Sequence, residues 1–179
     1  LWVNQYVPST LQWEQRGVTI EQDGEFPQSS STTFTVKTTQ KQHFALNLLI
    51  PSWAEKASIS INGKKTSVKV TGKARYHTIS RKWKDSDKVQ LHLQGGFKIH
   101  HLQGDCQTIA ISYGPMLLAF IENDKIELQL TEHQLLNNLQ ATDASKGIFT
   151  LNHNGKQYTL RPLFDVDDET YSVYVQLKP

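Results

Sequence analysis

The residues of this 179-residue chain with the chemistry to react, ligate or stack are few, and Cys106 is the single thiol. It could serve as a nucleophile or a zinc ligand, but a thiolate-rich zinc site needs further cysteines. It follows Gly104-Asp105 at the start of an apolar run, and an isolated thiol commonly packs as a small hydrophobe, so a structural role is expected. His100 and His101 invite a metal reading, yet adjacent residues on a strand point to opposite faces and cannot grip one ion. His43, His77, His92, His133 and His153 show no H-x-x-x-H spacing. The acidic group Asp165, Asp167, Asp168 and Glu169 starts like a calcium loop. Thr170, however, stands where such a loop needs glycine, and Gln176 where it needs a bidentate glutamate, so a polar turn is expected.

Stacking chemistry falls to the four tryptophans, Trp2, Trp13, Trp53 and Trp83. Their flat apolar faces could hold the C–H faces of sugars, although Trp beside a strand end more commonly packs into the core. Trp13 and Tyr6 are expected at an interface with whatever precedes the chain. No G-x-S-x-G elbow, P-loop or dinucleotide fingerprint occurs. No catalytic, cofactor-binding or metal-binding residue is therefore assigned.

The elements that must position these groups read as strands. In Lys56–Gly63, Ala57, Ile59 and Ile61 alternate with Ser58, Ser60 and Asn62, the period-2 pattern of a strand with one buried face. Asn62-Gly63 predicts a type I′ turn into Thr66, Val68 and Val70, and Val89, Leu91 and Leu93 supply the partner strand. Val18, Ile20 and Gln22 run to a turn at Asp23-Gly24, and Phe34, Val36 and Thr38 resume the alternation. Phe44 to Ile50 is apolar on both faces and stops at Pro51, which lacks the ladder donor. Gly95-Gly96 leads into Phe97 to Leu102. Ile109–Tyr113 and Met116–Ile121 predict two buried strand halves with a bend at Gly114-Pro115. Thr131 to Leu139 is the one helical pattern, with Thr131 as N-cap and Gln134 three residues on. A turn at Asn154-Gly155 and a last strand over Tyr171, Val173 and Val175 complete the chain.

Composition bounds what this can be. With 37% hydrophobic residues the chain can bury a core. Its formal charge of +2 comes from 19 basic residues scattered among 17 acidic ones, which argues against a nucleic-acid groove. No apolar run approaches the roughly 20 residues needed to span a membrane. The single cysteine excludes an internal disulfide and does not fix a compartment.

LLIPSWA at 48–54, ING at 61–63 and YHTISRKWKDSDKVQLHL at 76–93 together resemble the C-terminal β-domain of glycoside hydrolase family 127, the β-L-arabinofuranosidase-like proteins. The pattern expected there is L-x-I-P-x-W, V-N-G, then Y-x-x-I-x-R-x-W-K-x-G-D-x-V-x-L-x-L. LWVNQYVPSTL at the start and IAISYGPMLLAF at 109–120 are similar to flanking segments of that domain. The similarity runs through the first two thirds of the chain and returns weakly at Arg161 to Val175. Ser86 replaces the family's turn glycine and Tyr113 its arginine, changes that suit a turn and a strand respectively.

The resemblance implies catalysis by a zinc-bound cysteine assisted by glutamate, in a helical barrel that precedes the β-domain; none of those groups maps onto this chain. Fold and function are expected as follows. The chain is all-β, an antiparallel β-sandwich or jelly roll of about a dozen strands, as one body or as two packed β-subdomains, with one short helix near 131–139. Residues 1–179 form an accessory domain, a fragment of a larger protein, with a sub-boundary near 122–126. It serves a glycoside hydrolase acting on arabinofuranoside or related plant-glycan linkages and braces the upstream barrel. It is inactive alone, with zinc confined to the barrel. Carbohydrate and a second copy are further partners considered, and export to a bacterial periplasm or the cell exterior follows from the resemblance. A stand-alone carbohydrate-binding module and a structural interaction domain are the competing readings.

Overall fold

A computed structural model describes residues 1–143 and 146–178. The chain forms two compact units, Leu1–Gly95 and Gly96–Pro179, each with its own core. The junction falls at the Gly95-Gly96 pair; the segment 122–126, where the sequence suggested a sub-boundary, lies inside the second unit.

The first unit contains β1 (Trp2–Val3), β2 (Ser9–Trp13), β3 (Val18–Asp23), β4 (Ser31–Thr38), β5 (Gln42–Ile50), β6 (Ala54–Ile61), β7 (Lys64–Val68), β8 (Arg75–Trp83) and β9 (Asp87–Gly95). A three-stranded sheet, β1-β5-β8, faces a six-stranded one, β2-β3-β4-β9-β6-β7. Their inner faces share one core. Phe44, Leu46, Leu48, Ile50 and Trp83 come from the small sheet, and Val36, Phe34, Ile59, Val89 and Leu91 from the large one. Each such side chain contributes about 1.5–3 kcal/mol by leaving water, and together these residues hold the sheets face to face. Within the unit this is a β-sandwich.

Local chemistry sets the register. Asn62 and Gly63 take φ of 49° and 85°, as a type I′ turn requires, and Ile61 pairs with Lys64 across it. From β8 the chain passes to the other sheet through Lys84–Ser86, and a buried carboxylate fastens this crossing. Asp87 accepts from the Lys84 backbone N–H at 3.0 Å and from Asn62 Nδ2 at 2.8 Å, with Arg81 at 3.6 Å. Burial pushes the Asp87 carboxyl up, but the Asn62 and Lys84 hydrogen bonds and the Arg81 and Lys84 charges outweigh it and hold the group below the usual carboxylate range.

The second unit holds β10 (Phe97–Leu102), β11 (Asp105–Tyr113), β12 (Met116–Ile121), β13 (Glu127–Leu128), the helix α1 (Glu132–Asn138), β14 (Leu139–Asp143), β15 (Ile148–His153), β16 (Lys156–Pro162), β17 (Tyr171–Ser172) and β18 (Val175–Leu177). Nine strands make one sheet, with β13-β18-β11-β12-β16-β15-β14 as its main path. Leu128 and Leu177 near one end of that path join the same core as Leu139 and Leu151 near the other, so the sheet curls around its interior. α1 adds Leu135, fully buried, and starts on a complete capping box between Thr131 and Gln134.

Two expectations are corrected here. Ile109–Tyr113 and Met116–Ile121 are not halves of one bent strand but antiparallel neighbours, with Tyr113 opposite Met116. Gly114 takes φ of 54° and proline follows it, the sign pattern of a tight hairpin turn. The last strand is split as well: β17 pairs with β12 and β18 with β11, and Val173 lies between them.

Candidate functional site

Cys106 and His101 lie together in the second unit, in a groove of about 470 Å³ also lined by Gln107, Glu132, His133 and Leu177. The β10–β11 ladder shifts register after His101, which frees this end of the hairpin to approach the start of α1. His101 Nδ1 donates to the Cys106 carbonyl at 2.9 Å, and Nε2 sits 3.1 Å from Glu132 Oε1. Both ring nitrogens are thus engaged, and neither is left to activate the exposed Cys106 thiol. His100 turns the other way, to Ser112 Oγ at 2.8 Å, so the histidine pair does not converge. Among the described residues no group of three or more His, Cys, Asp or Glu is placed to hold a metal ion. One thiol beside a fully engaged imidazole does not fit the thiolate-rich zinc that the family resemblance implies.

The acidic loop is organised by a cation of the chain itself. Arg161 pairs with Asp165 Oδ2 at 3.1 Å and with Glu169, and donates to the Asp165 carbonyl at 2.6 Å. Glu169 in turn accepts from the Asp167 N–H at 3.1 Å. Two of the four carboxylates, those of Asp165 and Glu169, thus turn to a guanidinium, as in a closed polar turn, while Asp167 and Asp168 are exposed.

Of the four tryptophans, three are used for packing. Trp83 is fully buried and donates from Nε1 to the Phe44 carbonyl at 3.0 Å. Trp53 stacks on Phe26, and Trp13 packs edge-on against Phe44 beneath the Arg16 guanidinium. Tyr6, expected at an interface, is instead 3% exposed, wedged against Phe26 and Phe34 with its hydroxyl bonded to the Leu49 carbonyl.

Trp2 is the exception. It is 62% exposed and meets the 40% exposed Tyr76 edge-to-face at 4.5 Å, forming an aromatic corner on the outside of the small sheet. Hydrogen bonds fix the corner's surroundings. Tyr76 donates to Asn4 Oδ1 at 2.6 Å, and the buried Asn47 receives from Thr78 at 2.6 Å while donating to the Leu1 carbonyl at 2.9 Å. Such a surface can offer a ring face to a sugar with hydroxyl, amide and carbonyl groups alongside. The sequence offered no local signal for it, since Tyr76 reaches Trp2 only because β1 and β8 flank β5.

Fold and surfaces define a chain of two β-units, one a two-sheet sandwich that carries an exposed aromatic corner on its small sheet. Residues 1–95 match the family model described as the beta-L-arabinofuranosidase GH127 middle domain, and the chain belongs to that family, glycoside hydrolase family 127. The description is of a middle domain, where the sequence had pointed to a C-terminal one. No functionally curated protein matches the chain. Among solved structures it is similar to a glycoside hydrolase (TM-score 0.71, 16% identity, 99% of this chain and 36% of that one). It is also similar to a GH127 beta-L-arabinofuranosidase from Geobacillus stearothermophilus T6 (0.68, 18%, 99% and 33%). A further similarity is to a GH127 beta-arabinofuranosidase (0.68, 19%, 99% and 34%). The chain spans about a third of the length of each.

Proposed function

We propose that this chain is a non-catalytic β-sandwich portion of a glycoside hydrolase acting on arabinofuranoside-type or related plant-glycan linkages. Residues 1–95 serve as its middle domain and residues 96–179 as a β-unit following it. The observation that carries the reading is a coincidence of boundaries: the family match ends at residue 95, where the first compact unit ends. A sandwich with a continuous core is stiff, and packed against a catalytic helical barrel it holds the rim of the active-site cleft without supplying a reacting group. The engaged nitrogens of His101 and the inward-turned carboxylates at Arg161 support this role. Zinc and the reacting cysteine then belong to the barrel, and the parent acts in a bacterial periplasm or outside the cell, where plant glycans are met. The 179-residue chain should not hydrolyse an aryl β-L-arabinofuranoside, and adding it to a separately expressed barrel should restore activity. Turnover by the chain alone, sensitive to Cys106→Ser, would refute the proposal.

A second reading is favoured by one observation, the Trp2–Tyr76 corner: the chain binds glycan itself. Calorimetric titration with arabinan fragments should then show millimolar or tighter binding that Trp2→Ala abolishes. Heats unchanged by that substitution exclude the corner as the binding surface.

A further inference from the structure

The formal charge of +2 conceals a division. The first unit carries thirteen Lys and Arg against seven Asp and Glu, a formal +6, whereas the second carries six against ten, a formal −4. Much of the excess lies between Lys64 and Lys88, where nine basic residues meet only Asp85 and Asp87. Asp87 is buried at the sheet crossing, and Asp85 is turned to the Thr38 N–H at 3.0 Å.

The two arginines of this stretch are engaged. Arg75 donates to the Lys69 carbonyl, and Arg81 lies over the Trp83 ring beside Asp87. Lys84 acts on the Asp87 carboxylate, but the other six lysines have no such partner among the described residues. Lys64 and Lys65 on β7, Lys69 and Lys73 on the connection, Lys82 on β8 and Lys88 on β9 are all exposed. None of them forms an ion pair among the described residues. β7 and β8 are the terminal strands of their two sheets, and a six-residue connection, about 20 Å at full stretch, passes from one to the other. Lys64, Lys65, Lys69 and Lys73 therefore lie along the one edge that β7 and the connection form, while Lys82 and Lys88 stand on the outer faces of the two sheets.

Edge strands often carry a lysine that blocks pairing with other chains. That accounts for Lys65 and Lys82. It does not account for Lys69 and Lys73 on the connection, or for Lys88 on β9, which has a neighbour on either side. A rim of uncompensated ammonium groups draws polyanions.

We propose that this lysine rim anchors an acidic polysaccharide, a chain of uronate sugars, alongside the neutral linkage that the enzyme cleaves; the choice of glycan rests on the reading that the chain serves a glycoside hydrolase. Ammonium groups suit single carboxylates because they are point charges without a preferred fork geometry. Nucleic-acid phosphates are preferentially read by free guanidinium forks, and the arginines here are engaged.

The test is native electrophoresis of the 179-residue chain through gels containing polygalacturonate, fully methyl-esterified polygalacturonate or single-stranded DNA. Polygalacturonate should retard the chain, its neutral ester should not, and the effect should fade above about 0.15 M salt, where screening sets in beyond about 8 Å. Lys69→Glu with Lys73→Glu should weaken retardation about tenfold, while the equal charge change Lys98→Glu with Lys146→Glu in the second unit should leave it within about twofold. The proposal is overturned by no retardation, by equal loss in both double variants, or by tighter binding of DNA than of polygalacturonate. Hydrolysis of an aryl arabinofuranoside by the parent enzyme carrying the same variants separates this surface from the bracing role. That substrate bears no uronate, so its turnover reports on bracing alone.

Discussion

Single positions carry much of what is specific to this chain. Ser86 occupies a turn where the family pattern has glycine, and it sits at φ of 64°, a left-handed conformation that costs an L-residue about 1–2 kcal/mol. Ser86→Gly should therefore stabilise the first unit by about 1 kcal/mol, seen as a higher urea midpoint with unchanged slope; a lower midpoint would show that the serine hydroxyl contributes more than the strain costs. The neighbouring Asp87 tests the opposite sign. Removing its carboxylate leaves the Asn62 amide and the Lys84 N–H without their acceptor, so Asp87→Ala should cost about 3 kcal/mol. Because the folded-state carboxyl is held below its ordinary range, its contribution is present above the unfolded value near 3.9 and is lost as pH falls through the folded one. Wild type should thus lose more stability than Asp87→Asn on going below about pH 4, and parallel pH profiles would contradict the assignment. Depth was the residue-level property that the sequence concealed. Tyr6 and Trp2 are both aromatic and four residues apart, yet one is core and the other surface. The difference arises from Phe26 and Phe34 closing over Tyr6, contacts that no local pattern encodes.

At the level of elements, legibility followed turn chemistry. The hairpins at Asn62-Gly63 and Asn154-Gly155 were readable because that dipeptide tolerates two consecutive positive φ angles, and both turns have them. Gly114-Pro115 was misread because β11 and β12 are buried and apolar, so a hairpin resembled one interrupted strand. The helix was legible through its cap, and its dependence on that cap can be measured. α1 is only seven residues long, and the Leu135 N–H closes its first turn on the Thr131 carbonyl. Thr131→Ala should cost about 1 kcal/mol and speed hydrogen exchange at the Leu135 amide; exchange unchanged there would mean that burial of the Leu135 side chain alone sustains the helix.

For the whole molecule, the all-β class was readable from alternation, and two β-subdomains were among the expectations, whereas the position of the division was not readable. Strands on both sides of Gly95-Gly96 have the same polarity pattern, and only the cores they feed distinguish them. The charge division stayed hidden for a related reason, since a sum over the chain cancels what the two units hold separately. The first unit owns both of its sheets and a complete core, so residues 1–95 expressed alone should fold, with strand circular dichroism and one cooperative unfolding transition. A fragment that shows neither would mean that the second unit is needed to complete it.

The two Asn-Gly turns share a backbone shape but should age differently. Asn-Gly is the dipeptide most prone to succinimide formation, which begins when the asparagine side chain swings onto the following backbone nitrogen. Asn62 is tethered at both ends of its amide, to Asp87 at 2.8 Å and to the Lys88 N–H at 2.8 Å. Asn154 sits in an exposed turn without such tethers among the described contacts. In stored samples isoaspartate should accumulate at position 154 first, and peptide mapping over time would reveal whether the buried aspartate also acts as a preservative.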